Sequence, residues 1–223
     1  MALNDDSFIR EVNEELRSEQ VRTAWRRYGR FVVAAAVLIV VGTAVHRGYD
    51  YWQTLEASKS GDQFLAALKL SQDKKPDEAL AALAVLEKEG HGSYPLLARM
   101  RTATLQAEKG DTAAAIAGFS AIGKDTGVIA PIRDAARMRA AWLLIETGTY
   151  AQVSAEVEEM AVPQNAQRHS AREALGLSAY KAGDVTRAKE WFKQIVDDPE
   201  SPRNVANRAQ MLLDIIAASG KTS

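Results

Sequence analysis

The chain has 223 residues, an almost balanced charge of 28 Lys and Arg against 29 Asp and Glu, and no cysteine. This balance gives no basic surface of the kind that binds nucleic acid, and the absence of cysteine excludes disulfides, a thiol nucleophile and thiolate metal ligands. Length does not limit the fold, because about 170 residues follow the apolar stretch described below, enough for one sizeable core.

The first 30 residues predict an amphipathic helix. Apolar residues recur near three- and four-residue spacing, acidic residues come early and four arginines come late, which suits the helix dipole. The apolar positions are Phe8, Ile9, Val12, Leu16, Val21 and Trp25. The pattern fits a solvated helix leading into the next segment, or a helix lying on the inner leaflet or docked on a partner.

Residues 31–45 (FVVAAAVLIVVGTAV) carry no charge, and Thr43 is their one polar residue. A helix of this length covers about 22 Å, less than a hydrocarbon core of about 30 Å, so length alone does not separate a membrane span from a buried core helix. Its strongly apolar residues favour insertion by about 3–5 kcal/mol in total. The residues expected to face lipid include Phe31, Val33, Leu38, Ile39, Val41 and Val45.

The flanks of this stretch favour a single membrane span. Aromatic residues typical of membrane interfaces lie on both sides, namely Trp25, Tyr28, Tyr49, Tyr51 and Trp52. Four arginines precede the stretch, whereas Arg47 and Lys59 follow it, so the positive-inside rule places the N-terminus in the cytoplasm. A cleaved signal peptide is the alternative, but some 30 residues precede the apolar core and residues 43–47 form a poor cleavage site.

We therefore predict three parts: a cytoplasmic amphipathic helix at 1–30, a transmembrane anchor at 31–48 and an extracytoplasmic all-α domain at 49–223. A helix is predicted over residues 48–72. The chain beyond it is rich in Ala and Leu, without the alternating pattern of strands.

Helical hairpins recur along this third part. With Gly176 at the eighth position of a tetratricopeptide unit, Gly183, Ala188 and Phe192 take the fifteenth, twentieth and twenty-fourth positions. Small residues are needed where two antiparallel helices approach closely. The twentieth positions are Ala79, Ala115, Val153 and Ala188, with spacings of 36, 38 and 35 residues. We predict four hairpins and a capping helix over residues 202–218 that buries Val205, Ala209, Leu212, Leu213 and Ile216.

No catalytic or cofactor motif is found. The three histidines His46, His91 and His169 lack ligand spacing and are predicted to lie at the surface. A serine hydrolase built on Ser93 and His91 would need a strand–turn–helix context that the pattern does not provide. The acidic clusters at residues 156–159 and 197–200 are predicted to be solvated charges. We expect no enzyme activity, no cofactor, no metal and no small-molecule substrate.

Protein binding is the more plausible activity of such a repeat. The first helix of each hairpin lines a concave groove, and large amphipathic side chains there could hold extended segments. The candidates are Arg101, Met138, Trp142 and Tyr180, with Met100, Thr104, Ile145 and Leu177 nearby in the same frame. The alternative is that Trp142 and Leu177 are ordinary packing between repeats.

The segment 8–16 (FIREVNEEL), Trp25, Tyr28, the apolar stretch and the exit sequence 48–52 (GYDYW) resemble the YfgM-like ancillary subunits of the SecYEG translocon, in an alphaproteobacterial style. The resemblance covers essentially the full length, although the N-terminal helix is longer than in the enterobacterial members. It implies a single-span bacterial inner-membrane protein with a periplasmic tetratricopeptide domain. It also implies two partners, the SecYEG translocon and a periplasmic chaperone of the PpiD type.

The predicted function is therefore a non-enzymatic scaffold beside the Sec translocon that recruits a chaperone or holds translocating chains. The alternative is a scaffold for another envelope assembly, such as outer-membrane or cell-wall machinery.

Overall fold

The computed structural model describes the backbone of residues 5–219 and the side chains of Arg22 and of residues 25–219. Within these residues the regular elements are nine α-helices and one 3₁₀ turn, with no strand, which confirms the predicted all-α fold class. The helices are α1 (Asp5–Gln72), α2 (Pro76–Glu89), α3 (Tyr94–Glu108), α4 (Thr112–Lys124), α5 (Ala130–Thr147), α6 (Tyr150–Val157), a 3₁₀ turn (Glu158–Met160), α7 (Arg168–Lys181), α8 (Val185–Val196) and α9 (Arg203–Ala218).

Helix α1 joins the predicted N-terminal helix, apolar stretch and following helix into one element of 68 residues. No proline interrupts it and its glycines are isolated, so the sequence contains no strong stop signal before Gln72. The predicted apolar stripe at Phe8, Ile9, Val12 and Leu16 lies outside the residues whose side chains the structure describes.

The chain divides into two compact units, one ending at Glu56 and the other beginning at Ala57. The predicted limits of the three parts, 1–30, 31–48 and 49–223, stay a prediction. In the first unit the large apolar side chains of residues 31–45 are 52–72% exposed. A core helix would bury such side chains, so the core-helix alternative for this stretch is wrong.

The second unit is a series of helical hairpins with one apolar cluster after another along the chain. The C-terminal part of α1 packs with α2 and α3, then α3 with α4 and α5, then α5 with α6 and α7, and finally α7 with α8 and α9. Helix α9 buries Val205, Ala209 and Ile216, with Leu212 and Leu213 packed beside them. This is the predicted arrangement of four hairpins and a capping helix.

Gly-Asp pairs make two of the turns. Gly110 (φ +86°) and Gly183 (φ +83°) end α3 and α7 in the left-handed region, where a glycine meets no steric penalty. Asp111 and Asp184 then cap the next helices by accepting hydrogen bonds from the N–H groups of residues 114 and 187 at 3.1 and 3.0 Å. The recurring Gly-Asp pairs therefore end one helix and cap the next through local contacts.

The close contact between paired helices is clearest in the last repeat. A Cβ atom added at Gly176 would lie 2.5 Å from Cε1 of Phe192, whose side chain is completely buried. Where the third hairpin has Val153 and Val157 instead of Ala and Phe, both valines are also completely buried. The repeat frame therefore tolerates a change of residue type as long as the space between the helices is filled.

Candidate protein-binding groove

A groove lies between the C-terminal part of α1, α3 and α5, which are the first helices of the first three hairpins. Its volume is about 630 Å³, within the range of about 300–1,000 Å³ that is common for binding pockets. We call it the α3–α5 groove. It is lined by Phe64, Ser93, Leu96, Leu97, Met100, Arg101, Thr104, Pro131, Ile132, Ala135 and Arg139. Seven of these eleven residues are apolar.

Two arginines in the groove differ in their electrostatic surroundings. Arg101 donates through Nη1 and Nη2 to the two carboxylate oxygens of Glu108 at 3.2 and 3.4 Å, and also to Ser71 Oγ at 2.8 Å. Arg139 donates through Nη1 to Thr104 Oγ1 at 3.1 Å, and among the side chains that the structure describes it forms no ion pair. Thr104 is itself fixed, because its hydroxyl donates to the carbonyl of Met100 at 2.9 Å.

The matched family model spans both units of the chain. It is described as a tetratricopeptide repeat-like domain and matches residues 22–218, so it includes the apolar stretch as well as the hairpins. The chain belongs to this tetratricopeptide repeat-like family. The same family contains the YfgM-like proteins, which agrees with the family part of the resemblance. No curated protein and no solved structure matches the chain.

This tetratricopeptide repeat-like protein is accordingly a helical scaffold for protein–protein interaction, and such repeat domains are typically non-catalytic. Extended surfaces built from the first helices of stacked repeats are the usual place where such proteins bind others.

The four predicted binding residues lie in different environments. Arg101 lines the α3–α5 groove, and Trp142 on α5 is 40% exposed. Met138 is only 5% exposed and belongs to the core cluster between α5, α6 and α7, while Tyr180 packs half-buried against the last cluster. Only Arg101 of the four lies in the groove, and a binding role for the others stays a prediction.

Sequence reasoning missed Arg139, Leu97, Ile132 and Phe64 as groove residues. A signal for Arg139 was present, because Arg101 and Arg139 both lie two positions before the small eighth residue of their repeats, Ala103 and Ala141. Repeat-equivalent positions occupy equivalent places on their helices.

A buried ionic cluster holds the last hairpin to the preceding loop. Arg172, which is 7% exposed, donates to the carbonyls of Ala161 and Gln194 at 3.1 and 3.2 Å and to Asp198 at 3.1 Å. Arg168 donates to the same carboxylate at 3.2 Å. Burial alone raises the pKa of Asp198, but the backbone N–H of Glu200 and the two guanidinium groups hold it below its usual value.

Two acidic residues predicted to be solvated, Asp198 and Glu156, are in fact partners in packing. Asp198 has the contacts just described, and Glu156 is 7% exposed and accepts a hydrogen bond from Ser120 Oγ at 2.6 Å. Glu173, for which no prediction was made, is 3% exposed and accepts two hydrogen bonds from Arg208 at 2.7 and 2.8 Å, which ties α7 to α9. The helix-face pattern showed which residues are charged, but not that a neighbouring hairpin covers them.

His169 also departs from its predicted surface position. It is 6% exposed, neither ring nitrogen has a hydrogen-bond partner, and Nδ1 lies 3.7 Å from the Asp198 carboxylate. Burial and the positive charge of Arg168 lower its pKa. Within the described part of the chain, no group of three or more His, Asp or Glu is placed to hold a metal ion.

The apolar stretch of α1 satisfies its own polar groups. The Thr43 hydroxyl donates to the carbonyl of Ile39 at 2.7 Å, so the one polar side chain of residues 31–45 has a partner within the helix. The aromatic residues on both sides, Trp25, Tyr28, Tyr49, Tyr51 and Trp52, are 52–72% exposed. One stretch within residues 25–72 is long and apolar enough to cross a membrane, as a single-pass anchor or a signal sequence.

Proposed function

We propose that the chain is a non-enzymatic scaffold anchored in the bacterial inner membrane, with its N-terminus in the cytoplasm and its repeats in the periplasm. It associates with the SecYEG translocon and either recruits a PpiD-type periplasmic chaperone or holds translocating chains. The observation that carries the proposal is the exposure of every large apolar side chain in residues 31–45, on the same helix that continues into the first hairpin.

The exposed stretch supports an anchor on energetic grounds. An apolar side chain left in water costs about 1.5–3 kcal/mol relative to full burial, and nine such side chains lie here without a partner in the described part of the chain. A bilayer removes that cost, and the internal hydrogen bond of Thr43 leaves no unpaired hydroxyl in the hydrocarbon. Trp and Tyr on both sides suit the two headgroup regions.

The scaffold role is supported by the family, the groove and the resemblance. The family match covers residues 22–218, and the α3–α5 groove offers an apolar surface that also contains Arg101 and Arg139. The translocon and the chaperone enter from the resemblance to YfgM-like subunits.

Affinity capture tests the partners. A C-terminally tagged full chain is purified from membranes solubilised in a mild detergent, and the co-purifying proteins are identified by mass spectrometry. We expect translocon subunits and a PpiD-type chaperone to be enriched over a tagged, unrelated single-span protein. Their absence under gentle conditions would contradict the proposal, and enrichment of outer-membrane or cell-wall machinery would indicate the alternative assembly.

A further inference from the structure

We propose that the N-terminal end of the anchor binds the headgroups of anionic phospholipids through a patch of four arginines. We call it the arginine patch, and its members are Arg22, Arg26, Arg27 and Arg30. The inference rests on the proposed function, because it needs residues 31–45 to lie in a bilayer. It adds the class of lipid that surrounds this end of the anchor.

The four arginines lie on one side of α1. Arg22, Arg26 and Arg30 follow one another at four-residue spacing, and Arg27 lies three residues before Arg30. At about 100° per residue, their side chains leave the helix within an arc of about 140°. All four side chains are exposed. The positive-inside rule counts charges wherever they lie around a helix, whereas cations on one side can meet the same headgroup together.

The patch lies close to the headgroup region when residues 31–45 are in the hydrocarbon. Arg30 directly precedes Phe31, and Arg22 is about 12 Å further along the helix axis. The headgroup region of one leaflet is about 5–8 Å thick, and long arginine side chains extend toward it from beyond its edge. Each of the four guanidinium groups can therefore reach a lipid phosphate.

Most of the patch has no carboxylate nearby in the sequence. Glu19 precedes Arg22 by three residues, but the other three members of the patch have no acidic residue within six positions on either side. On the exit side of the apolar stretch, by contrast, Asp50 lies three residues after Arg47, and its Oδ2 is 3.5 Å from Nε2 of His46. Positive charge without a neighbouring carboxylate is therefore concentrated at the N-terminal end of the anchor.

Two of the guanidinium groups also contact aromatic rings. Cζ of Arg27 lies 5.9 Å from the centre of the Tyr28 ring, and Cζ of Arg30 lies 5.0 Å from the centre of the Phe31 ring. Such a contact orders the side chain without neutralising it, and the N–H groups in the plane of the guanidinium can still donate to two phosphate oxygens. An anionic phospholipid fits this site better than a zwitterionic one, whose ammonium group is repelled by the arginines.

Trp25 provides a reporter within the same segment. Its indole is 61% exposed and lies against Gly29, where an added Cβ atom would be 3.2 Å from Cε2 of the ring. The other three tryptophans are removed as Trp52→Phe, Trp142→Phe and Trp191→Phe. The full chain is then reconstituted in phosphatidylcholine vesicles with a small fraction of lipid brominated at the headgroup end of its acyl chains, because bromine quenches a nearby indole.

The brominated lipid is either phosphatidylglycerol, which is anionic, or phosphatidylcholine, which is zwitterionic. We expect the apparent affinity of the anionic lipid for the surroundings of Trp25 to be at least about five-fold higher, the effect of one arginine at an anionic surface. Added salt should reduce this preference. Both leaflets contain the brominated lipid, so the orientation of the chain in the vesicle does not affect the reading.

Two variants of the whole patch separate charge from helix structure. The variant Arg22→Gln/Arg26→Gln/Arg27→Gln/Arg30→Gln should lose the preference for the anionic lipid. Replacement of the same four residues by lysine keeps the positive charge and should retain most of the preference. Circular dichroism checks that both variants are as helical as the parent chain.

Two controls address the opposite end of the anchor. Arg47→Gln removes the arginine that follows the apolar stretch and should leave the preference at Trp25 unchanged. A chain in which Trp52 is the sole tryptophan should show less than about two-fold preference, because the residues around it include the carboxylate of Asp50.

Equal quenching of Trp25 by the two lipids, an equal preference at Trp52, or a preference that survives in the glutamine variant would each overturn the inference. Equal quenching combined with loss of captured translocon subunits from the glutamine variant would show that an acidic protein occupies the patch instead. These outcomes leave the anchor intact. The absence of quenching at both tryptophans by either lipid would contradict the anchor itself, and the inference with it.

Discussion

Val37 and Val153 show how differently one residue type is used in two regions of this chain. Val37, in the apolar stretch of α1, is 55% exposed, whereas Val153, in the third hairpin, is completely buried. The hairpins supply their own apolar partners, because each helix packs against the next in the sequence. The large apolar side chains of residues 31–45 are instead 52–72% exposed, and we propose that a bilayer covers them.

Placing charges in the apolar stretch should have the largest effect, namely the loss of membrane association. Two arginines at the centre of a span cost about 5–7 kcal/mol, more than the total favourable insertion energy of about 3–5 kcal/mol. We expect Leu38→Arg/Ile39→Arg to move the chain from the carbonate-resistant membrane fraction to the soluble fraction. Leu38→Phe/Ile39→Phe is the matched control and should stay with the membrane. Retention of the arginine variant in the membrane fraction would contradict an anchor at this stretch.

Removing a buried side chain from the repeat core should instead lower the free energy of unfolding and leave membrane association unchanged. Phe192→Ala removes a completely buried ring that contacts Gly176, which costs about 3–5 kcal/mol of unfolding free energy. Urea unfolding measures the loss, and membrane fractionation should be unchanged. Met211→Ala, at a position that is 53% exposed on α9, should change stability by less than about 0.5 kcal/mol. Equal effects of the two variants would show that Phe192 is not part of a packed core.

The smallest effect is a pH dependence confined to the last hairpin. The pKa of His169 is lowered in the folded chain from its ordinary 6.5 by burial and by Arg168, so the unfolded chain binds the proton more readily. The stability due to neutral His169 is therefore complete above about pH 6.5 and declines as the pH falls below it. The lowered pKa values of Asp125 and Asp198 lie below 3.8 and act only at more acidic pH.

We expect the urea midpoint to fall between pH 7 and pH 5, and to fall less in His169→Gln. His46→Gln, which changes a side chain that is 74% exposed, is the control and should keep the wild-type slope. An identical slope in His169→Gln would contradict a buried, neutral histidine at this position.

Local features of the fold were predictable from the sequence, because their causes lie within a few residues. Gly110-Asp111 and Gly183-Asp184 combine a left-handed helix end with a helix cap, and Gly176 is small where a ring must fit. The spacing of these signals was enough to predict the hairpins.

The binding surface was less predictable, because it depends on how deeply each side chain is buried between neighbouring hairpins. Met100 and Met138 occupy the same repeat position, yet Met100 lines the α3–α5 groove and Met138 lies in the core. Likewise, Arg101 contacts Glu108 and Ser71, whereas the equivalent Arg139 contacts Thr104 and lies over the ring of Phe119. Such differences arise when neighbouring hairpins pack, and no local pattern contains them.

The direction of the anchor is tested most directly by labelling single cysteines, since the chain has none of its own. Ser7→Cys and Ser58→Cys lie on opposite sides of the apolar stretch, and a membrane-impermeant maleimide is added to intact spheroplasts. We expect labelling of Ser58→Cys in intact spheroplasts, labelling of Ser7→Cys only after permeabilisation, and a full-length chain in both. The reverse labelling, or a shortened chain that has lost residue 7, would contradict a cytoplasm-to-periplasm anchor.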